Sequence, residues 1–575
     1  MKTDFFVEYD LFDTTALQDA HESASNNSGF SDISLIKDNV SAPNYGTLEH
    51  NLFVLDGSME EFPDNPTDLV YFSSGLSDVN GILPSNQTIT IRFSQRHTSF
   101  GLTLYFLESY PTELEILWYD IYDILQSKKT FRPNNLVYFC KNQVENYGRV
   151  VITFKKALPF HNVKLQYIQY GTKLVWGPDT ITSGKLINDT DPISDKISTD
   201  KLTFAFVDYD DEFNVGNASG LHKTFQKKQR MLPYEVIDGE KIPLGVFFLE
   251  SNSTTKNVSK ISAVDYKGML SNADFKEGRI YNGEPAGNII DEIMSIAGIE
   301  EYQMDEETAK TPLYGTLKIQ TCQKALREVL FACGSVINTS HRIGIDIFKE
   351  KRETSGRITR GKKFSTTFET DSYISDVNVK YGTWTLEEKV SELTKGIYGI
   401  GIHTIQFSSP AANIAASSGR ILKRMPYYVV LSIDTETTSE IVISGQKYVS
   451  EELAASSSIE FIKSGEIRNA KTFTGTLLNF EAAKKAADRI IEYYQLQQII
   501  KTKHLAGTEK AGDWVEIENP SGGRGSFLAV MESITTDLVN GFVATAKSRG
   551  YYKFVTDYYY ADDELYADDI MGEII

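Results

Sequence analysis

The sequence predicts a mainly β chain with α+β parts, and three observations carry that expectation. Short apolar-alternating runs recur between Pro, Asn and Gly punctuation from Ala42 to Gly171. The same rhythm returns over 185–265 and 375–545, and only three segments carry a clear helical period. The 31 Tyr and 32 Phe against four Trp suit pleated sheet faces and large interfaces.

The elements follow in chain order. Residues 1–41 read as a leader with one strand, Phe5 to Phe12, and a polar loop, Ser23 to Gly29. Residues 42–171 hold strands at Thr88 to Phe93, Leu102 to Phe106, Leu114 to Trp118, Val150 to Phe154 and Val163 to Ile168, which argue for a β-sandwich. A second β domain, 172–270, starts after Trp176-Gly177-Pro178, with strands at Lys185 to Ile187, Leu202 to Val207, Gly245 to Leu249 and Lys260 to Asp265. A mixed domain, 271–374, contains two amphipathic helices. Ala286 to Ala297 turns Ile289, Ile290, Ile293, Ile296 and Ala297 to one face, and Cys322 to Cys333 does so with Cys322, Leu326, Val329, Leu330 and Cys333. Each stops before a glycine, Gly298 or Gly334, and Thr321 is a good N-cap for the second. Residues 375–548 return to strands at Val377 to Tyr381, Thr404 to Phe407, Tyr427 to Ile433 and Glu440 to Ile443. A helix from Asn479 to Leu496 follows, with Phe480, Ala483, Ala487, Ile490, Ile491 and Tyr494 on one face. Strands at Asp513 to Ile517 and Gly525 to Met531 come next, then a hairpin turning at Asn540-Gly541. The tail, 549–575, is acidic and aromatic.

At 575 residues the chain is too long for one core, and about 150 residues per domain gives three or four domains. The 78 acidic and 58 basic residues leave a net charge of -20, which gives no attraction to phosphate backbones, so no specific nucleic-acid binding is expected. Cys140, Cys322 and Cys333 cannot make a disulfide framework, which suits a reducing cytoplasm. No run approaches about 20 apolar residues and no secretory leader is written, so no membrane insertion is expected. Work outside the cell would require release by lysis or inside a particle.

Motifs for chemistry are weak. Gly522-Gly523-Arg524-Gly525 lacks the Lys and the following helix of a phosphate loop. His21, His50, His97, His161, His222, His341, His403 and His504 share no metal-ligand spacing. Cys333-Gly334-Ser335 before His341 resembles a thiol protease only superficially, since Cys333 lies on an apolar helix face. The cluster Asp208-Tyr209-Asp210-Asp211-Glu212 offers oxygen ligands for calcium, with a solvated acidic loop as the blander alternative. Catalytic, metal and cofactor sites are therefore all expected to be none, and the chain is expected not to be an enzyme. Exposed aromatics at sandwich loop tips would stack on sugars, with Tyr71, Phe72, Phe100 and Phe131 as the candidates.

A family resemblance then adds to this reading. The run Tyr45-Gly46-Thr47-Leu48-Glu49-His50-Asn51-Leu52-Phe53-Val54-Leu55-Asp56-Gly57-Ser58, with Val144-Glu145-Asn146-Tyr147-Gly148 and Val150-Val151-Ile152-Thr153-Phe154, resembles the discoidin-like sandwich of tail proteins from phages and prophages of Gram-positive bacteria. Asp179-Thr180-Ile181, Asp189-Thr190-Asp191-Pro192-Ile193-Ser194-Asp195, Leu202-Thr203-Phe204 and Asp211-Glu212-Phe213-Asn214 resemble the first barrel of the phage tail-hub family. That family includes the baseplate hub of contractile tails and the N-terminal hub part of tail-associated lysins. The likeness continues through Ala263-Val264-Asp265, the first two helices and Gly512-Asp513-Trp514-Val515-Glu516-Ile517 with its Asn540-Gly541 hairpin.

The resemblance implies two hub β-barrel-like domains, the first over 172–270 and the second within 375–548. It also implies a trimeric ring that adapts a tail tube or tube-initiator protein to a spike or needle, alongside other baseplate proteins, within a virion tail or bacteriocin particle. With about 30 residues after the last strand, no separate lytic domain of the kind found in lysin-type hubs is expected. Two rivals stand beside it: a protein that binds cell-surface carbohydrate through the sandwich, and a tail-associated cell-wall hydrolase. Asp557 to Ile575 carries seven carboxylates and no Lys or Arg, and is expected to be disordered alone and to dock on a neighbour.

Overall fold

A computed structural model of the chain describes residues 3–29, 31–38, 47, 49, 69–209, 211–214, 216–217, 229–435, 439–460, 468–520 and 525–553. The segment Tyr45 to Ser58, apart from Thr47 and Glu49, the Gly522-Gly523-Arg524 loop, Asp210 and the acidic tail lie outside these residues. The fold is mainly β, with several sheets and few helices. It divides into two compact units, one of Met1–Val7, Trp176–Gly220 and Arg230–Ile575, the other of Glu8–Val175 and Leu221–Gln229.

In the second unit seven strands form one sheet that folds over on itself around a single core. Its two long strands, Ile82–Phe106 and Val137–Lys156, pair antiparallel with register shifts near 92–101. The bulges bend each strand, so that Ile89 and Ile91 before the bend and Leu102 and Leu104 after it enter the same core with Trp118, Val150 and Phe154. Gly101 sits at this bend with φ +138°, where a Cβ would meet the Cys140 carbonyl oxygen at 2.0 Å. The leader expectation changes here: residues Thr14–Asp19 form a helix, and His21–Ser25, expected within and beside a loop, pair with Thr88 to Arg92. A polar strand at a sheet edge lacks the apolar alternation by which strands are read.

The first unit is built on an antiparallel run of nine strands. In spatial order these are Lys363–Thr370, Gln498–Leu505, Val543–Lys553, Ser526–Asp537, Ile181–Asp189, Lys201–Val207, Val258–Asp265, Phe247–Thr255 and Arg230–Ile237. Beside it, the Ala286–Ala297 and Cys322–Cys333 helices bury Ile289, Ile290, Ile293, Leu326, Val329 and Leu330 in one core. Gly298 and Gly334 end them in the left-handed region, at φ 67° and 69°. Ile296 departs from the expected face: in the last helical turn it is over a third exposed.

Residues Asp376–Gly396 and Ile441–Ser458 form a long hairpin, part of a four-stranded sheet, and a separate three-stranded sheet is made by Gly401–Gln406, Tyr428–Ile433 and Arg420–Met425. The base of the hairpin packs Val377, Val379 and Ala455 on the Phe480–Gln495 helix, whose Asn479 carboxamide accepts the Ala482 N–H at 2.9 Å. Its outer part has a core of its own around Phe407, Val429 and Ile443. Phe480, expected on the buried helix face, sits in the first turn and is exposed. The Asn540-Gly541 hairpin forms as expected, with Asp537 accepting the N–H groups of Val539 and Asn540.

Candidate functional site

The expected chemical groups lie apart from one another. Burial pushes the Cys333 thiol up to about 12, so at neutral pH it is a thiol rather than a nucleophilic thiolate. Burial likewise pushes Cys322 up to about 11 and Cys140 still higher. His341 is held below its ordinary range by burial and by Lys510. Asp208 uses its carboxylate to accept the N–H groups of Glu212 and Phe213 at 3.1 and 2.8 Å, which makes the acidic cluster a capped turn. Among the described residues no three His, Cys, Asp or Glu side chains gather as metal ligands. Among them, too, no helix is long and apolar enough to cross a membrane.

The aromatic platforms also differ from expectation. Tyr71, Phe72, Phe100 and Phe131 are all core residues. Among the described rings of this unit Tyr122, at 70%, is more exposed than Phe160, and it sits at the tip of the hairpin between Glu113–Tyr119 and Leu125–Phe131. Asp120 shapes this tip by accepting the N–H groups of Tyr122 and Ile124 at 2.8 and 2.9 Å. Arg96 lies 5.9 Å over the Tyr122 ring, and Arg149 bridges to Asp123 at 2.6 Å. The loop Asp120-Ile121-Tyr122-Asp123-Ile124 mixes acidic and apolar residues, so nothing in the local pattern marked it over the buried rings.

The most elaborated place in the first unit is the seam between its two β sections. Lys185 to Asp189 pair antiparallel with Asp537 to Ser533, which zips the strands of 181–265 to those of 498–553. Beyond the strand, the Asp189-Thr190-Asp191-Pro192-Ile193-Ser194-Asp195 run is the turn that leaves the seam. Thr190 N–H donates to Glu532 O at 3.0 Å, Ser194 Oγ to Ser335 O at 2.5 Å, and Asp191 accepts from the N–H groups of Ile193 and Lys196. Under the seam lies a buried charge cluster. Lys267 Nζ donates to Asp200 Oδ1 at 2.7 Å and to Asp189 O at 3.0 Å, with Asp265 Oδ2 at 3.6 Å. Thr339 Oγ1 donates to Asp265 Oδ2 at 2.6 Å and Asn188 Nδ2 to Asp200 Oδ2 at 3.0 Å. Burial drives the Asp265 carboxyl upward; Lys267 pulls it down and Asp200 pushes it up. Two carboxylates share one ammonium and all three side chains are buried, so the cluster binds strands together and is closed to a ligand.

A polar cleft of about 410 Å³ opens beside the seam turn. Arg549 reaches Glu532 Oε1 through Nε at 2.9 Å, Asp371 Oδ2 through Nη2 at 2.6 Å and Leu496 O through Nη1 at 3.0 Å. Burial would raise Glu532, but hydrogen bonds from Lys547, Tyr493 and Arg549 outweigh it and hold the carboxyl below its ordinary range. This clamp ties the C-terminal β section to the end of the Phe480–Gln495 helix. A larger cleft, about 640 Å³, lies between that helix and the turn after Cys322–Cys333, where Arg489 Nη2 donates to Phe331 O at 3.1 Å. In the smaller cleft the groups of Arg549, Glu532 and Asp371 are spent on the protein's own frame, which is mechanical connection, whereas in the larger one Arg489 Nη1 is buried with no hydrogen-bond partner among the described residues.

No protein family and no curated protein matches the chain. Solved structures do. A tail protein from Neisseria meningitidis is 11% identical, with 64% of this chain and 92% of that one covered at a TM-score of 0.39. The 43 kDa tail protein of prophage MuSo2 from Shewanella oneidensis is 10% identical, with 65% and 94% covered at 0.37. A prophage tail protein from Listeria monocytogenes is 8% identical, with 76% and 94% covered at 0.35.

Neither Lys267 nor Arg549 was marked by the sequence reading. A lone Lys two residues after a strand, and an Arg inside one, are ordinary surface patterns. The runs Asp189 to Asp195 and Ala263-Val264-Asp265, quoted above for the family resemblance, fall at this place.

Proposed function

We propose that the chain is the structural hub of a phage tail or phage-tail-like bacteriocin. It acts as a trimer that joins the tail tube or its initiator protein to a spike or needle, within the particle rather than as an enzyme. One observation carries this reading: two β sections far apart in the sequence are zipped edge to edge through Lys185–Asp189 and Ser533–Asp537. Three copies of a chain with two such sections present six, the number that meets a sixfold tube, and head-to-tail contacts close the ring. The buried Lys267 cluster and the Arg549 clamp brace that seam, which suits a part that carries load. Averaged images of the assembled tail tip should show three copies of the chain in a ring. One copy or six would overturn the reading.

A second reading is favoured by Tyr122: the sandwich touches a cell-surface carbohydrate through its exposed ring, with Arg96 and Asp120 beside it. Retention of the chain on host cell-wall glycan that drops at least tenfold in Tyr122→Ala would support it, and equal retention would remove it.

A further inference from the structure

The 24 residues from Gly396 to Gly419 contain no Asp, Glu, Lys or Arg, in a chain that is 24% charged. They lie at the outer end of the long hairpin and in the small sheets beside it, where solvent exposure would ordinarily favour charge. Three isoleucines of this stretch are turned outward: Ile397, Ile400 and Ile402 are 66%, 67% and 69% exposed. Val390 and Leu422 extend the apolar surface from neighbouring elements. Gly401–Gln406 is moreover an edge strand, paired among the described residues with Tyr428–Ile433 alone. Natural sheets blunt such edges with lysine, proline or a covering segment. Gly401–Gln406 holds no lysine or proline, and among the described residues no strand pairs with its free edge.

We infer that this uncharged edge is buried against a second copy of the chain. Each copy carries a net charge of -20, so two copies repel wherever charged surfaces meet. A self-contact therefore forms with least opposition where charge is missing, and interface centres are depleted of charged residues for the same reason. A partner recruited by the chain's acidity would instead seek carboxylates, and the stretch 396–419 has none to offer. The apolar isoleucines supply the buried area, and the free edge supplies backbone hydrogen bonds that fix the register. The inference deepens the trimeric reading above and rests on it for the copy number alone.

The test places the photo-reactive residue p-benzoyl-phenylalanine at position 402 in the full chain, with irradiation at micromolar concentration followed by mass spectrometry of the adducts. The expected product joins two or three copies of this chain. Ile400→Asp should lower its yield at least tenfold with circular dichroism and melting unchanged, while Val79→Asp, at an equally exposed site in the other unit, should leave it intact. Ile400→Ser provides the same comparison if the aspartate perturbs folding. Absence of a self-adduct, or adducts only with other proteins or with lipid, would overturn the proposal. A threefold ring without a 402 adduct would sink this surface and keep the hub. A 402 self-adduct in particles lacking threefold symmetry would keep the surface and sink the ring.

Discussion

Lys267 Nζ stands 2.7 Å from Asp200 Oδ1, with both side chains 1% exposed, at the point where the two β sections of the first unit meet. Asp200 precedes the strand Lys201–Val207 and Lys267 lies in the helical turn after Val258–Asp265. The pair therefore locks the ends of two adjacent strands, and its bond to Asp189 O extends the lock to the seam strand. Burial of such a pair is tolerated because the Asp200 carboxylate also accepts from the Asp189 N–H, Asn188 and Thr339.

Removing the cation should accordingly be severe. Lys267→Met is expected to destabilise the first unit by about 3–5 kcal/mol, since two buried carboxylates lose their counter-charge. The double variant Lys267→Met/Asp200→Asn should recover part of that loss. Urea melts followed by hydrogen exchange in the 181–189 and 526–537 strands check both.

The raised Asp265 carboxyl has a stability signature of its own. A group whose folded value lies above its unfolded one binds more protons in the folded state, so its contribution is present below the ordinary carboxylate range and is lost as pH rises toward neutrality. The difference in unfolding free energy between wild type and Asp265→Asn should therefore shrink from pH 4 to pH 7. A difference that grows over that window would contradict the cluster's charge arrangement.

Glu532 behaves in the opposite sense. Its lowered carboxyl contributes above the ordinary glutamate range and the contribution fades as pH falls. Arg549→Met should cost about 3–5 kcal/mol at neutral pH and less in acid, because it leaves a buried carboxylate with Lys547 and Tyr493 only. Arg549→Lys keeps the charge but loses the fork that holds Glu532 and Asp371 together, and should cost about half as much. Melting curves at pH 7 and pH 4 separate these outcomes.

The sandwich core draws every buried member from Ala16 to Tyr170. The fragment 13–170 should fold alone, and Trp118 is its sole tryptophan, fully buried. Its fluorescence should be blue-shifted and should move to the red in one cooperative melt. Emission at the solvent position in the native fragment would show that this core needs the rest of the chain.

The sequence by itself determined the elements whose signals are local. The helices at Ala286–Ala297, Cys322–Cys333 and Phe480–Gln495 were legible because each carries a 3.6-residue apolar period, with Thr321 capping the second and Gly298 and Gly334 ending the first two. The Asn540-Gly541 hairpin was legible for the same reason. Pairing is not local, and there the tertiary structure decided. Nothing near Lys185 or Asp537 says that these residues meet, nothing beside Lys267 says that its ammonium is buried, and Tyr71 and Tyr122 look alike in sequence although one ring is core and the other faces water. Strand register and the burial of a charge depend on partners far away in the sequence, whose positions are fixed only when the whole sheet closes.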